Sequence, residues 1–169
     1  MNKIIVSMIA LMLLAVPALA ETKIAYVDLQ KALNLSKTGV EAKQQIGVQV
    51  KKYEGEFKAK QDELMKLKEE LEKQAVLLSD AAKAQKEREF QQNVKELQRF
   101  QKDIKEELQQ RDAELTKRIL NELFEILQTI GKNGSYTMIL EKNEGAVIFA
   151  DANIDLTDEL IKAYDASKK

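Results

Sequence analysis

The 169 residues carry 27 Lys and Arg against 28 Asp and Glu, a formal charge of −1, with no His, Cys or Trp and a single proline, Pro17. These absences exclude disulfides, the usual His/Cys zinc sites, a thiol nucleophile and the commonest general acid–base residue. The segment Gly131-Lys132-Asn133-Gly134 lacks the upstream glycine and the following Ser/Thr that a phosphate-cradling loop needs, so neither enzyme activity nor any cofactor or metal is expected.

In chain order, residues 1–20 read as a cleaved secretory signal. Lys3 supplies the positive start, Ile4 to Val16 an apolar run that Pro17 breaks, and Ala18-Leu19-Ala20 the small residues of a cleavage site before Glu21. The run is short for a membrane span, so stable insertion is not expected, and no cysteine follows to carry a lipid. Lys23 to Asp28 is a strand candidate. Thr38-Gly39-Val40-Glu41 fits a capping box at a helix start.

From there Ile46, Val50, Tyr53, Phe57, Leu64, Leu67, Leu71 and Leu78 recur in steps of three, four and seven. This is a heptad seam with Val50, Phe57, Leu64, Leu71 and Leu78 at a and Ile46, Tyr53 and Leu67 at d, diluted by Lys60 and Gln74. A second run holds Phe90, Val94, Leu97, Ile104, Leu108 and Leu115, with Gln101 and Arg111 as polar interruptions. The two runs do not share a phase, and between them, from Ser79 to Glu89, only alanines and polar residues occur. Ser79-Asp80 is a good helix-starting pair, so a turn is expected near 78–82, with two antiparallel limbs of about 60 Å each.

Beyond Leu115 the apolar residues Ile119, Leu120, Leu123, Phe124, Ile126, Leu127 and Ile130 come too densely for a two-helix seam and point to a helix entering a larger core. Gly131 and Gly134 are expected to stop it. Tyr136 to Glu141 and Ala146 to Ala150 read as strands of a hairpin joined by Lys142-Asn143-Glu144-Gly145. Thr157 reads as the cap of a last helix bearing Leu160, Ile161 and Tyr164.

The expected architecture is therefore mostly α with a small β body: residues 21–38 and 116–169 form the body, and 39–115 a long antiparallel coiled-coil hairpin projecting from it. A body this small favours association of several copies. Ile24, Val27, Ile119, Leu123, Ile126, Leu127, Ile130, Ile139, Val147 and Phe149 are expected to form the body core and the contacts between copies. Phe57, Leu64, Leu71, Val94, Leu97 and Ile104 are expected to form the seam within an arm.

Three stretches together carry a family resemblance: "KIAYVDLQKALNLSKTG", "LSDAAKAQKEREFQQNVKELQRFQKDIKEELQQR" and "YTMILEKNEGAVIFADANIDLTDELIK". They resemble the Skp/OmpH family of periplasmic chaperones over nearly all of the chain after residue 20. The resemblance implies a homotrimer whose β-containing body holds three helical-hairpin arms around a cavity for unfolded outer-membrane proteins. It implies an ATP-independent holdase with no cofactor or metal and no nucleic-acid partner. One departure stands out, because the family's best-known members have strongly basic arms. Here the sequence pI is about 5.8, and nine basic and nine acidic residues lie between Lys60 and Arg99, an ordinary solvated helix surface. Binding of lipopolysaccharide or anionic lipid through a basic tip is accordingly in doubt. The alternative reading is an exported coiled-coil spacer or adaptor of the cell envelope, which would keep its seam apolar and straight, whereas this seam is diluted.

Overall fold

The structure, a computed structural model, describes residues 22–74, 78–143 and 147–168; the expected leader at 1–20 lies outside them. The elements are β1 (Ile24–Val27), α1 (Leu29–Leu35), α2 (Lys37–Gln74), α3 (Asp80–Asn133), β2 (Met138–Glu141), a 3-10 turn (Ala152–Ile154) and α4 (Thr157–Ser167). The molecule is mostly helical, with a two-stranded sheet at one end.

Helix α1 was not anticipated from the sequence. The Asp28 carboxylate starts it by accepting the Lys31 amide at 2.7 Å, and Leu29 and Ala32, three apart, bury its inner face. Ser36 then ends one helix and begins the next. Its amide donates to the Ala32 carbonyl at 3.0 Å, while its hydroxyl accepts from the Gly39 amide at 3.2 Å. The expected capping box at Thr38–Glu41 is thus corrected: the cap is Ser36, two residues earlier, because its buried hydroxyl reaches the orphan amide first. The corner is tight enough to require glycine, since a Cβ on Gly39 would lie 1.7 Å from the Leu33 carbonyl oxygen.

Helices α2 and α3 lie antiparallel as an arm. The Lys86 ammonium meets the Glu70 carboxylate across it at 3.0 Å. Nearer the base, the Tyr53 and Phe100 rings meet edge to face with centroids 6.4 Å apart. Ser79 caps α3, its hydroxyl accepting from the Ala82 amide at 3.4 Å. Ser79 and Asp80 therefore begin the second limb, with the first limb ending at Gln74. Helix α3 runs about 80 Å without a break.

The expected hairpin is corrected. β2 pairs in parallel with β1, with Ile24 opposite Met138 and Val27 opposite Glu141, and residues 147–150 form no strand. The pairing follows from where α3 ends: Lys23 donates from Nζ to the Gly134 carbonyl at 2.9 Å, and its own carbonyl accepts from the Thr137 amide at 2.8 Å. The other edge of β1 is taken by Asp155 and by Leu156, whose amide donates to Tyr26 at 2.9 Å, so the 147–149 run finds no free edge there. Glu144 and Gly145 of the expected connection and Ala146 of the expected second strand lie outside the described residues.

Helix α4 also starts differently from expectation. The Asp155 carboxylate accepts from the Thr157 amide at 2.8 Å, and the buried Thr157 hydroxyl accepts from the Asp28 amide at 2.9 Å. Thr157 is thus the first helical residue, a tie between α4 and the β1–α1 junction, rather than the cap. The core beneath these elements is Val27, Leu29, Ala32, Ala42, Ile119, Leu123, Leu160 and Tyr164.

Replacing Gly39 with alanine should lower folding stability by about 2 kcal/mol or more, because the clashing partner is backbone and cannot swing away. A urea-denaturation midpoint equal to that of the unmodified protein would contradict the tight α1–α2 corner.

Candidate functional site

Two surfaces have features that packing within the chain does not use. The first is the arm. Phe57, Leu64, Leu71, Val94, Leu97 and Ile104 all lie along it and all are half-buried. A two-helix seam cannot do better, since each side chain is covered from one direction only. The polar positions open gaps along the seam. Beside Lys60 the helices part into a polar recess with Leu64, Asn93 and Leu97, and beside Gln101 into an apolar notch lined by Val50, Tyr53, Phe57, Ile104 and Leu108. Sequence reasoning missed Phe100. A strict heptad assigns the seam to Gln101, but a straight helix drifts against a seven-residue repeat, and here Phe100 turns inward to Tyr53 while the Lys60 ammonium sits 5.3 Å from its ring.

The second surface is the sheet. Along β1 and β2, Ala25, Val27 and Ile139 face the core, while Ile24, Tyr26, Met138 and Leu140 alternate onto the other face, where Tyr26 is buried and the other three are exposed. Two residues of the following segment are barer still, Ile148 at 97% and Phe149 at 90% exposure. The expected body residues accordingly divide into two sets. Val27, Ile119 and Leu123 are buried in the subunit's own core, with Ile126, Leu127, Ile130 and Ile139 packed against it. Ile24 and Phe149 lie outside that core and Val147 is half-buried, so these three are not spent on packing within the subunit's own core. The core also draws on Leu156, Leu160 and Tyr164 near the end of the chain; the four-residue spacing of Leu160 and Tyr164 in α4 was the available signal.

The charged groups in the body hold α4 in place rather than forming a reactive centre. The fully buried Tyr164 donates its hydroxyl to the Glu122 carboxylate, which also takes the Lys168 ammonium at 2.8 Å. Burial, reinforced by that carboxylate, pushes the Tyr164 phenol up to about 12. Burial works against ionising Glu122, but the hydrogen bonds from Lys168 and Tyr164 outweigh it and hold the carboxyl below its ordinary range. Asp155 follows the same pattern, with burial opposed and overcome by its hydrogen bonds from Thr157. Among the described residues no group of His, Cys, Asp or Glu is arranged to hold a metal ion, and no helix is long and apolar enough to cross a membrane.

Residues 23–164 match the sequence profile of a family described as "Outer membrane protein (OmpH-like)". The chain belongs to the OmpH-like family. A "Skp-like protein" of Pseudomonas aeruginosa is 28% identical to this OmpH-like chain over 160 residues, 90% of each sequence. An uncharacterized protein of Aquifex aeolicus is 29% identical over 141 residues, 83% of this chain and 85% of that one. In fold, the OmpH-like chain matches the crystal structure of a candidate outer membrane chaperone (OmpH-like) from Caulobacter crescentus, with a TM-score of 0.81 at 18% identity over 88% of this chain and 86% of that one.

The pH dependence follows from the directions of these shifts. A depressed carboxyl contributes stability above the ordinary carboxylate range and loses it on acidification, so Glu122 and Asp155 should cost stability as pH falls below about 4.5. A raised phenol contributes fully below its ordinary value and loses that contribution as pH rises from about 10 through about 12. The stability difference between the unmodified protein and Tyr164→Phe should therefore be constant from neutral pH to about pH 9 and shrink by pH 12. A difference that holds constant to pH 12 would contradict the Tyr164–Glu122 bond.

Proposed function

We propose that this OmpH-like protein is an ATP-independent periplasmic holdase that keeps unfolded outer-membrane protein precursors from aggregating. In this reading residues 1–20 are a cleaved export signal, residues 39–115 the arm, and the flanking segments an assembly body. The observation that carries it is the pairing of a sheet face that leaves Ile24, Met138 and Leu140 exposed with a slender arm whose seam residues are nowhere more than half-buried.

The assembly part rests on the sheet. Two short strands with Ile24, Met138 and Leu140 exposed on one face, and the exposed Ile148 and Phe149 in the segment after β2, leave more apolar surface than so small a sheet can keep uncovered. Further copies, three in the family arrangement, would cover that face and close the free edge of β2. Arms projecting from such a body would enclose a space in which many weak contacts act together on one client at high effective concentration. Gaps in the seam support the chaperone reading over a spacer, since a spacer gains from a continuous apolar seam and a holdase gains from compliance.

Leu123, expected among the residues of the body core and the contacts between copies, is fully buried inside one subunit, so its replacement by a charge would test the fold rather than the assembly. The informative change is Phe149→Asp. It should lower the sedimenting mass to that of a single chain while leaving the helical circular-dichroism signal intact. Full helicity with an unchanged oligomer would overturn the proposed interface. The activity itself is tested by light scattering: near-stoichiometric oligomer should suppress aggregation of a urea-unfolded outer-membrane barrel protein on dilution, and a protein without that effect would not be a holdase.

A further inference from the structure

The two helices of the arm are not equally robust at the same height. Helix α3 has no glycine between Asp80 and Ile130. Beyond Gly39 at the α1–α2 corner, helix α2 carries two, Gly47 and Gly55, and neither has a packing reason: a Cβ built on either meets nothing within 4 Å. Both sit in regular helix, where glycine is the poorest residue short of proline. Gaps between the helices flank the same segment. One lies by Gln45, Val48, Gln49 and Arg111; the other is the apolar notch of about 170 Å³ by Gln101. Among the described residues, the aromatic contact that bridges the segment is the Tyr53–Phe100 pair.

We propose that α2 lifts away from α3 between Gly47 and Gly55 and opens the notch of Val50, Tyr53, Phe57, Ile104 and Leu108 as a binding site for apolar side chains of an unfolded membrane-barrel strand. The proposal rests on the holdase reading for its ligand. Such a strand carries apolar and polar residues in alternation. The notch has room for a single large apolar side chain, and its exposed rim residues Glu54 and Gln101 can solvate the polar neighbours on either side of it. The seam of the arm is then two things in turn, an internal contact when closed and a client contact when open, while α3 keeps the arm attached to the core throughout.

Hydrogen exchange on the full chain tests the opening without any client. Amides of 44–58 should exchange faster than those of 99–112 across the arm, and the double variant Gly47→Ala/Gly55→Ala should slow exchange at 44–58 by roughly twenty-fold. Both alanines fit the helix, so the variant should fold. Equal protection of the two segments, or no change in the variant, would overturn the hinge. The binding step is read with a benzophenone side chain at position 101 and an unfolded eight-stranded barrel protein as probe. Crosslinking to the probe should occur and fall several-fold in the double-alanine background. Failure to crosslink in a protein that still suppresses aggregation would overturn the site and leave the holdase reading standing. Crosslinks to a second copy without probe would assign the notch to self-contact and also overturn it. If suppression of aggregation is itself absent, the ligand assignment falls with the function, and the exchange asymmetry is judged separately.

Discussion

Everything in this molecule depends on one helix being shared by two environments. Helix α3 forms half of the arm along most of its length and then buries Ile119 and Leu123 among β1, α1 and α4. With no cysteine available, no covalent tie fixes the arm to its base, and the continuity of this helix does so instead. The arm gains little from its own seam, because two helices cover one another from a single side. Its orientation is set at the body end, where α3 is packed from several directions. The ties from Glu122 to Tyr164 and Lys168 secure α4 against that same end, so the anchor is closed by residues from the far terminus.

What could be read in the sequence was what depends on neighbours along the chain. The heptad steps placed the seam, and Ser79-Asp80 marked where the second limb starts, because spacing and capping are decided within a few residues. The parallel sheet could not be read this way. β1 and β2 are more than a hundred positions apart, and β-prone composition at 147–149 offered a nearer partner that the occupied edge of β1 ruled out. Phe100 was lost to a one-residue drift between the straight helix and the ideal repeat. Thr38 and Thr157 were sound capping residues by type, but Ser36 and Asp155 each stood two positions ahead and reached the open amides first.

The apolar surface left on a single chain is unevenly distributed. Ile24, Met138 and Leu140 share one face of the sheet, and Ile148 and Phe149 follow in the next segment, while Leu35, Val40 and Phe124 lie elsewhere near the base and Val48 and Met65 on the arm. Apolar residues that share a face lose more by remaining in water than residues that stand singly.

The parallel pairing of β1 with β2 has a consequence for how the polypeptide becomes a protein. β1 lies more than a hundred residues before its sheet partner, and its second edge is satisfied only by Asp155 and Leu156, further along still. Contacts across the arm span far shorter stretches of chain around the tip, so that zipper can close on a small loop. The base must close the longest loops in the fold, which makes it the slow, late step.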